Sequence, residues 1–210
     1  MSDGNAQQQG EASSGTNGLG DKKLTLPEGV LEDGSGAGYE YCEHMGDIGI
    51  HAWGDGLADA FAKCGEGMFG YMCPNYRSEV IAKDVQTIDV SARNLHQLLF
   101  QFMEELLFRF GSTGFFCRTI HVKVLDTGGM SHTAALAAEG KEDTHEGKSQ
   151  DEKVSSDGNK FFIRAECRGE AWEDGRHSQG TEVKAITMHD LRITLDEEDG
   201  KWHTKVVVDL

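Results

Sequence analysis

The chain has 210 residues, of which 38% are hydrophobic, and a formal net charge of −16 at pH 7. This length and composition suit one globular domain together with segments that do not fold. The acidic excess argues against a nucleic-acid backbone as a ligand held by this chain alone, because phosphate binding depends on clustered Lys and Arg. A protein partner or a metal ion is the better expectation.

The cysteines favour a reducing compartment. There are 5 of them, an odd number, and no pair has Cys-x-x-Cys spacing. Free, mostly buried thiols are the simplest explanation. The N-terminus has no apolar leader-like run, and no segment is long enough and apolar enough to cross a bilayer. We therefore expect an intracellular protein, cytoplasmic or nuclear, with no membrane attachment.

Two segments lack any hydrophobic period. Residues 1–38 and residues 126–159 are rich in Gly, Ser and charged side chains. Such segments bury too little apolar surface to offset the entropy of ordering them. The sequence therefore predicts a disordered N-terminal extension, residues 1–38, and a domain over residues 39–210 that is interrupted by a disordered acidic insertion at about 126–159.

The ordered part shows strand and helix periodicities in a clear succession. The order is β-β-α-β-α-β, followed by three further strands. Asp55 or Gly56 is expected to cap the first helix, and Asn94 to cap a second helix that runs through Phe110. Many strands with two helices predict an α+β fold: a single domain with a mixed, mostly antiparallel β-sheet covered by two α-helices.

The strands near the end of the chain alternate in polarity. In the strand that begins at Phe161, Arg164, Glu166, Arg168 and Glu170 are predicted to face solvent. Two adjacent strands are expected to follow. One is the stretch from Gly180 to Thr187 and its continuation. The other ends the chain after a hairpin turn at Glu197-Glu198-Asp199-Gly200, with Gly200 placed for positive φ.

The last residues place negative groups side by side. Asp209 is followed directly by Leu210, whose carboxylate ends the chain. Two adjacent anionic groups at the end of an ordered strand are costly unless a cation or a water-filled cleft compensates them. From spacing alone, however, the commoner interpretation is preferred: Asp47 is a turn residue and Asp209 a frayed surface carboxylate.

Several motifs in register resemble the archease family. They are His44-x-x-Asp47, His51-Ala52-Trp53-Gly54, Ala60-Phe61 through Met68-Phe69-Gly70-Tyr71-Met72, Gly180-Thr181-Glu182-Val183-Lys184-Ala185-Ile186-Thr187 and the Val-Asp-Leu end. The resemblance covers residues 39–125 and 160–210 and implies an archease-like fold. One departure is that the family usually has His-Thr-Ala-Asp, whereas Met45 and Gly46 stand here in the middle positions.

The resemblance implies a function as well as a fold. Archeases are small metal-binding activators of the tRNA-splicing RNA ligase, and they are not ligases themselves. That ligase joins a 2′,3′-cyclic phosphate or 3′-phosphate end to a 5′-hydroxyl after guanylylation of its own histidine with GTP. The activator promotes guanylylation and repeated turnover. The implied partner is thus the ligase, bound transiently, with GTP met only through the ligase and no direct nucleic-acid binding.

The resemblance also implies site residues. Asp47, Asp209 and the carboxylate of Leu210 match the family's metal site, and oxygen donors suit Ca²⁺, Mg²⁺ or Mn²⁺ better than Zn²⁺. Lys184 belongs to the most distinctive motif and is expected to support activation by contacting a nucleotide phosphate or a ligase carboxylate. The alternative for Lys184 is a snorkelling residue at a sheet edge.

Two interpretations stay open for the neighbouring residues. His44 and His177 either support the metal ligands from behind or serve as capping or core histidines. Glu104 and Glu105 either face the ligase or are solvated carboxylates beside an apolar helix stripe. Two other functions also stay open: a chaperone-like specificity partner of a tRNA-modifying methyltransferase, and a metal-dependent phosphohydrolase.

Overall fold

The computed structural model describes residues 36–44, 46–139 and 161–210, apart from the side chains of residues 44, 138 and 139. The predicted N-terminal extension lies outside these ranges except for its last residues, and so does the second half of the predicted insertion. Within the described ranges, no helix is both long enough and apolar enough to cross a membrane.

Seven strands and four helices make up the described part of the chain. In chain order they are β1 (Gly38–His44), β2 (Asp47–Gly54), α1 (Leu57–Met72), α2 (Tyr76–Glu79), β3 (Asp84–Ala92), α3 (Leu95–Thr113), β4 (Phe115–Asp126), α4 (His132–Glu139), β5 (Phe161–Ala171), β6 (Ala185–Leu195) and β7 (Trp202–Asp209).

The strands form two sheets. The first, here called sheet A, has the order β1-β2-β7-β6, and the second, sheet B, has the order β3-β5-β4. Every pair of neighbouring strands in these sheets is antiparallel. The α+β fold with mostly antiparallel strands is therefore confirmed. The difference from expectation is that the strands divide into two sheets rather than one mixed sheet.

Helix α1 lies against both sheets. It contacts β1, β2 and β7 of sheet A and β4 of sheet B, and almost all of its residues are buried. A helix enclosed on all sides needs small residues where the strands come closest. A Cβ at Gly65 would lie 2.6 Å from Ile120 Cδ1, and one at Gly67 would lie 2.8 Å from Ile50 Cγ2. The glycines weaken the isolated helix but allow this close packing.

Helix α3 joins the two sheets in the same way, since it contacts β3 and β6. The Asn94 side chain accepts a hydrogen bond from the Gln97 N–H at 2.8 Å, so the predicted cap is confirmed. The helix ends three residues later than predicted, and Gly114 with φ 69° terminates it. A left-handed glycine after the last turn is a common helix end.

The start of the predicted insertion is ordered. The interpretation of residues 126–159 as disordered is wrong for residues 132–139, which form α4. Ser131 Oγ accepts a hydrogen bond from the Ala134 N–H at 3.2 Å, as at a helix start, and Ala135 is fully buried. The alanine-rich sequence has high helix propensity, which an argument from apolar periodicity alone overlooks.

Two predictions about individual strands are wrong. The alternation of β5 predicts a solvent-facing Glu170, but this residue is buried, because it is bonded from several sides. The residues from Gly180 to Lys184 are not in a strand, and β6 begins only at Ala185. The polypeptide there follows the end of α1 before it enters sheet A. The turn before β7 is as expected, with Gly200 at φ 71°.

Candidate functional site

The candidate site lies at the end of sheet A where β2 begins and β7 ends. In the β2–β7 ladder, Ile48 pairs with Val208. Asp47 precedes the one and Asp209 follows the other, so one further step along the antiparallel register sets these two aspartates opposite each other. Directly opposed side chains lie on the same face, with Cβ atoms about 5 Å apart. The fold thus brings two aspartates that are distant in sequence to the same end of two paired strands.

This arrangement carries an electrostatic cost. Like charges directly opposite on neighbouring strands are destabilising. Asp47 is partly buried and Asp209 is exposed, so water screens only part of the repulsion. A positive group between or beside them would offset the cost.

One such group is Lys184. Its Nζ donates a hydrogen bond to the main-chain oxygen of Leu210 at 2.6 Å, and its backbone N–H donates to the main-chain oxygen of Asp209 at 2.9 Å. Lys184 lies just before β6 rather than within a strand, so its predicted position on a strand face is corrected. The ammonium group nevertheless comes to the same end of sheet A as both aspartates.

The motif before Lys184 is held against the end of α1. The Gly180 N–H donates to the Met72 oxygen at 2.8 Å. A Cβ at Gly180 would lie 2.5 Å from the Tyr71 oxygen, so only glycine allows this approach. Gly180, Thr181 and Glu182 line one side of a cavity of about 250 Å³. Docking of this segment therefore fixes where the chain enters β6 and where Lys184 is placed.

His177 belongs to a different cluster. It is 5% exposed, and its Nε2 lies 3.2 Å from Glu170 Oε1. The Glu173 N–H donates to its Nδ1 at 2.9 Å. These bonds favour the core-histidine interpretation over support of the metal ligands.

The structure places the remaining candidate residues as follows. Glu104 is exposed on α3. Glu105 forms an ion pair with Arg109, with 2.6 Å between Oε1 and Nε. The side chain of His44 lies outside the described residues, although its backbone pairs with Asp47 in the β1–β2 ladder.

Glu170 is a buried carboxylate with four hydrogen-bonding or ion-pair partners. The Glu170 carboxylate accepts a hydrogen bond from the Ile81 N–H at 2.7 Å. It also forms ion pairs with Arg176 at 2.7 Å and with Lys83 at 3.3 Å. Burial alone would raise the pKa of Glu170. The hydrogen bonds from Ile81, Arg176, His177 and Lys83 outweigh burial and lower the pKa to about 2. This cluster fastens β5 to the segments before β3 and β6.

Sequence reasoning missed one ion-pair cluster on sheet A. Asp190 has φ 52° in the irregular part of β6, between the paired residues Thr187 and Arg192. Its carboxylate lies 2.6 Å from Lys205 Nζ and 2.6 Å from Arg192 Nη2. Hydrogen bonds from Lys205 and then Arg192 lower the pKa of Asp190 to about 2. An aspartate tolerates the left-handed region, but no sequence pattern marks this one.

The donors at the edge fit a hard divalent cation. Asp47, Asp209 and the Leu210 oxygen offer oxygen ligands, which Ca²⁺, Mg²⁺ and Mn²⁺ prefer. Within the described ranges, the group of three His, Cys, Asp or Glu ligand atoms that lie within 4.8 Å of one another is elsewhere, at Asp196, Asp199 and His203. Among the side chains that the structure describes, Asp47 and Asp209 are the candidate ligands at this end of sheet A, and the Leu210 oxygen would be a third.

Comparison with known proteins agrees with this fold. The model of the Archease protein family matches residues 39–210. A protein named archease-like from Drosophila melanogaster is 32% identical over 173 residues, which are 82% of this chain and 90% of that protein. The archease of Ictalurus punctatus is 34% identical over 155 residues, covering 74% of this chain and 76% of that protein.

Archaeal relatives and a solved structure extend the likeness. The archease of Pyrococcus abyssi is 29% identical over 172 residues, covering 82% of this chain and 98% of that protein. The solution structure of Methanobacterium thermoautotrophicum protein 1598 has 24% sequence identity and a TM-score of 0.57, covering 82% of this chain and 98% of its own. That structure supports the fold, and the family model covers most of the chain. The chain therefore belongs to the archease family.

Proposed function

We propose that this chain is a non-catalytic, metal-binding activator of a GTP-dependent tRNA-splicing RNA ligase. It would promote guanylylation of the ligase and repeated turnover. The observation that carries the proposal is the meeting of Asp47, Asp209, Lys184 and the Leu210 oxygen at one end of sheet A. Family membership supports this function, because resemblance to the archeases implies it.

The roles of these residues follow from their chemistry. Asp47, Asp209 and the Leu210 oxygen would hold a divalent ion (Ca²⁺, Mg²⁺ or Mn²⁺), which supplies positive charge for stabilising phosphate oxygens. In the absence of the ligase, Lys184 would orient the Leu210 oxygen. In the complex its exposed ammonium would contact a nucleotide phosphate or a ligase carboxylate, which is an electrostatic contribution.

The charge of the chain bears on its partner. A net charge of −16 makes direct binding to RNA unfavourable, because it repels phosphate groups. Contact through the ligase is therefore proposed, with GTP met only in the ligase pocket. The chain should bind the ligase only transiently, because a chain that stayed bound would block the access of RNA to the ligase active site. All five cysteines are free thiols, which is compatible with the proposed intracellular, cytoplasmic or nuclear location.

The direct test is RNA ligation under multiple-turnover conditions. Purified ligase, GTP and a substrate with 2′,3′-cyclic phosphate and 5′-hydroxyl ends would be incubated with and without the full chain. The proposal predicts more than one product per ligase molecule only when the chain is present, and faster appearance of the guanylylated ligase. An unchanged product yield with an active ligase would overturn it.

The same preparation separates the two other functions. Enhancement of a tRNA methyltransferase without any effect on ligation would favour the specificity-partner function. Phosphate release by the chain alone would favour a hydrolase. The Asp47→Asn variant gives the control on the site: stimulation must fall with it, while Asp84→Asn, an exposed carboxylate of β3, must leave stimulation unchanged.

A further inference from the structure

Four side chains form a continuous row of polar contacts across sheet A. Glu40 Oε1 lies 2.8 Å from His51 Nδ1, His51 Nε2 lies 3.0 Å from His203 Nδ1, and His203 Nε2 lies 3.1 Å from Asp199 Oδ2. The two imidazole planes are within 19° of each other. The row therefore has a carboxylate at each end and two histidines between them.

The row has more contacts than the neutral side chains have donors. A neutral imidazole carries one N–H, and an ionised carboxylate only accepts. Two neutral histidines thus supply two donors for three contacts, which leaves two acceptors facing each other at one position. A positive charge between these two acceptor atoms, carried by a proton or by a metal ion, would satisfy both of them.

The Asp199 end of the row has the ligands for a metal ion. Ligand atoms of Asp196, Asp199 and His203 all lie within 4.8 Å of one another. Around a tetrahedral zinc ion with bonds of about 2.1 Å, the ligand atoms are roughly 3.4 Å apart. The separation of 3.1 Å between Asp199 Oδ2 and His203 Nε2 is close to this value.

The turn that carries these ligands is well fixed. The Asp196 N–H donates to the Lys201 oxygen at 2.9 Å, and the Gly200 N–H donates to the Asp196 oxygen at 3.0 Å. The Lys201 N–H donates to Asp199 Oδ1 at 2.8 Å, which leaves Oδ2 directed at His203. The His203 side chain is only 18% exposed, so its ring is held by the sheet.

We propose that the β6–β7 turn binds Zn²⁺, or a similar divalent transition-metal ion, through Asp196, Asp199 and His203 Nε2. With the ion bound, His203 Nδ1–H donates to His51 Nε2, and His51 Nδ1–H donates to Glu40. Every contact is then satisfied with both histidines neutral. Such an outer carboxylate–histidine chain is the usual means of orienting a metal-bound imidazole. Mixed imidazole and carboxylate ligands favour zinc over Ca²⁺ or Mg²⁺.

This site is separate from the end of sheet A where Asp47 and Asp209 lie. His203 and Asp209 are six residues apart on β7, which is about 20 Å along a strand. The two sites also differ in ligand class, since one offers only oxygen and the other includes nitrogen. The zinc proposal therefore does not depend on the activation of a ligase.

The test is calorimetric titration of ZnCl₂ into the full chain carrying Asp47→Asn, which weakens the edge site. We expect one zinc equivalent to bind. His203→Gln in the same background should weaken this binding by at least tenfold, and His51→Gln by about tenfold, because His51 only orients the ligand. His121→Gln, an exposed histidine of sheet B, should bind zinc as the parent does.

A spectroscopic measurement makes the result independent of folding changes. Co²⁺ in place of zinc should give the intense visible absorption of a tetrahedral complex in the parent and in His121→Gln, and lose it in His203→Gln. Circular dichroism and thermal unfolding without metal identify any variant that fails to fold. The proposal is overturned if the folded His203→Gln protein binds zinc like its parent. It is also overturned if the parent binds no zinc.

Discussion

Lys184 Nζ lies 2.6 Å from the main-chain oxygen of Leu210, although 26 residues separate them in sequence. This contact lies on the β6 side of the same end of sheet A, next to the two opposed aspartates. A positive charge at this point reduces the repulsion between Asp209 and the Leu210 carboxylate. It also positions an oxygen that, on our proposal, binds the metal ion.

Replacement of Lys184 separates its function from its contribution to stability. The side chain is exposed, so Lys184→Ala should change the free energy of unfolding by no more than about 0.5 kcal/mol. Stimulation of ligation should nevertheless be lost. Denaturant unfolding and the multiple-turnover assay measure the two effects. The matched control is Lys123→Ala, an exposed lysine of sheet B that pairs with Glu166 at 3.2 Å; a Lys184→Ala protein as active as this control would refute the role.

Extending the chain past Leu210 tests the third oxygen ligand. Four added residues would convert the Leu210 carboxylate into a neutral amide and weaken the attraction for a divalent ion. We expect weaker binding of Mn²⁺ by calorimetry and less stimulation of the ligase. The same four residues added before Met1 provide the control for added length. Equal affinity in the two extended proteins would remove Leu210 from the set of ligands.

Gly180→Ala should destabilise the protein by about 2 kcal/mol, because the added methyl group would lie 2.5 Å from the Tyr71 oxygen and force the backbone apart. Since Gly180 fixes the segment that leads to Lys184, stimulation should also fall. Gly111→Ala is a control of opposite sign. A methyl group added there would have no atom within 4 Å, so this helical site should gain about 0.5–1 kcal/mol. Urea denaturation of both proteins measures the difference.

The buried cluster of Glu170 predicts a dependence of stability on pH. Its pKa is lowered from 4.5 to about 2 in the folded protein, so its ionised form contributes stability above pH 4.5. That contribution is lost as the pH falls from 4.5 towards 2. Glu170→Gln should cost about 3 kcal/mol at neutral pH, because Arg176 and Lys83 lose their partner.

The acid range provides the check on this assignment. The difference in unfolding free energy between the wild type and Glu170→Gln should shrink as the pH falls below 4.5. Glu197→Gln, at an exposed position in the turn before β7, should follow the wild type at every pH. A Glu170→Gln difference that is constant down to pH 3 would contradict the proposed titration.

The sequence predicts the local features of the fold well. The Asn94 cap and the glycine turn at Gly200 each depend on neighbouring residues, and both are confirmed. The division into two sheets was not predicted, because strand periodicity does not show which strands pair. The glycines of α1 signal its burial between both sheets, although from propensity alone they indicate only a weak helix.

The residues of the candidate site also differ in how well the sequence predicts them. The family motifs predict Asp47, Asp209, Leu210 and Lys184 as site residues. The register of β2 with β7 explains why the two aspartates come to one end of sheet A, and the bonds of Lys184 to Leu210 and to the Asp209 main-chain oxygen explain its own position there. The burial of Glu170 cannot be predicted from an alternating strand, since it depends on contacts from other segments, namely Arg176, Lys83 and the Ile81 N–H. The same holds for the row through His51 and His203, which touch across two neighbouring strands.

The most direct test of the central claim is calorimetric titration of Mn²⁺ and Ca²⁺ into the wild type, Asp47→Asn, Asp209→Asn and the double variant, with Asp84→Asn as the control. If the two aspartates bind one ion together, each single variant should lose at least tenfold in affinity, and the double variant should lose little more, because the effects of shared ligands do not add. Wild-type affinity in either single variant, with the Asp84→Asn control unchanged, would contradict the account.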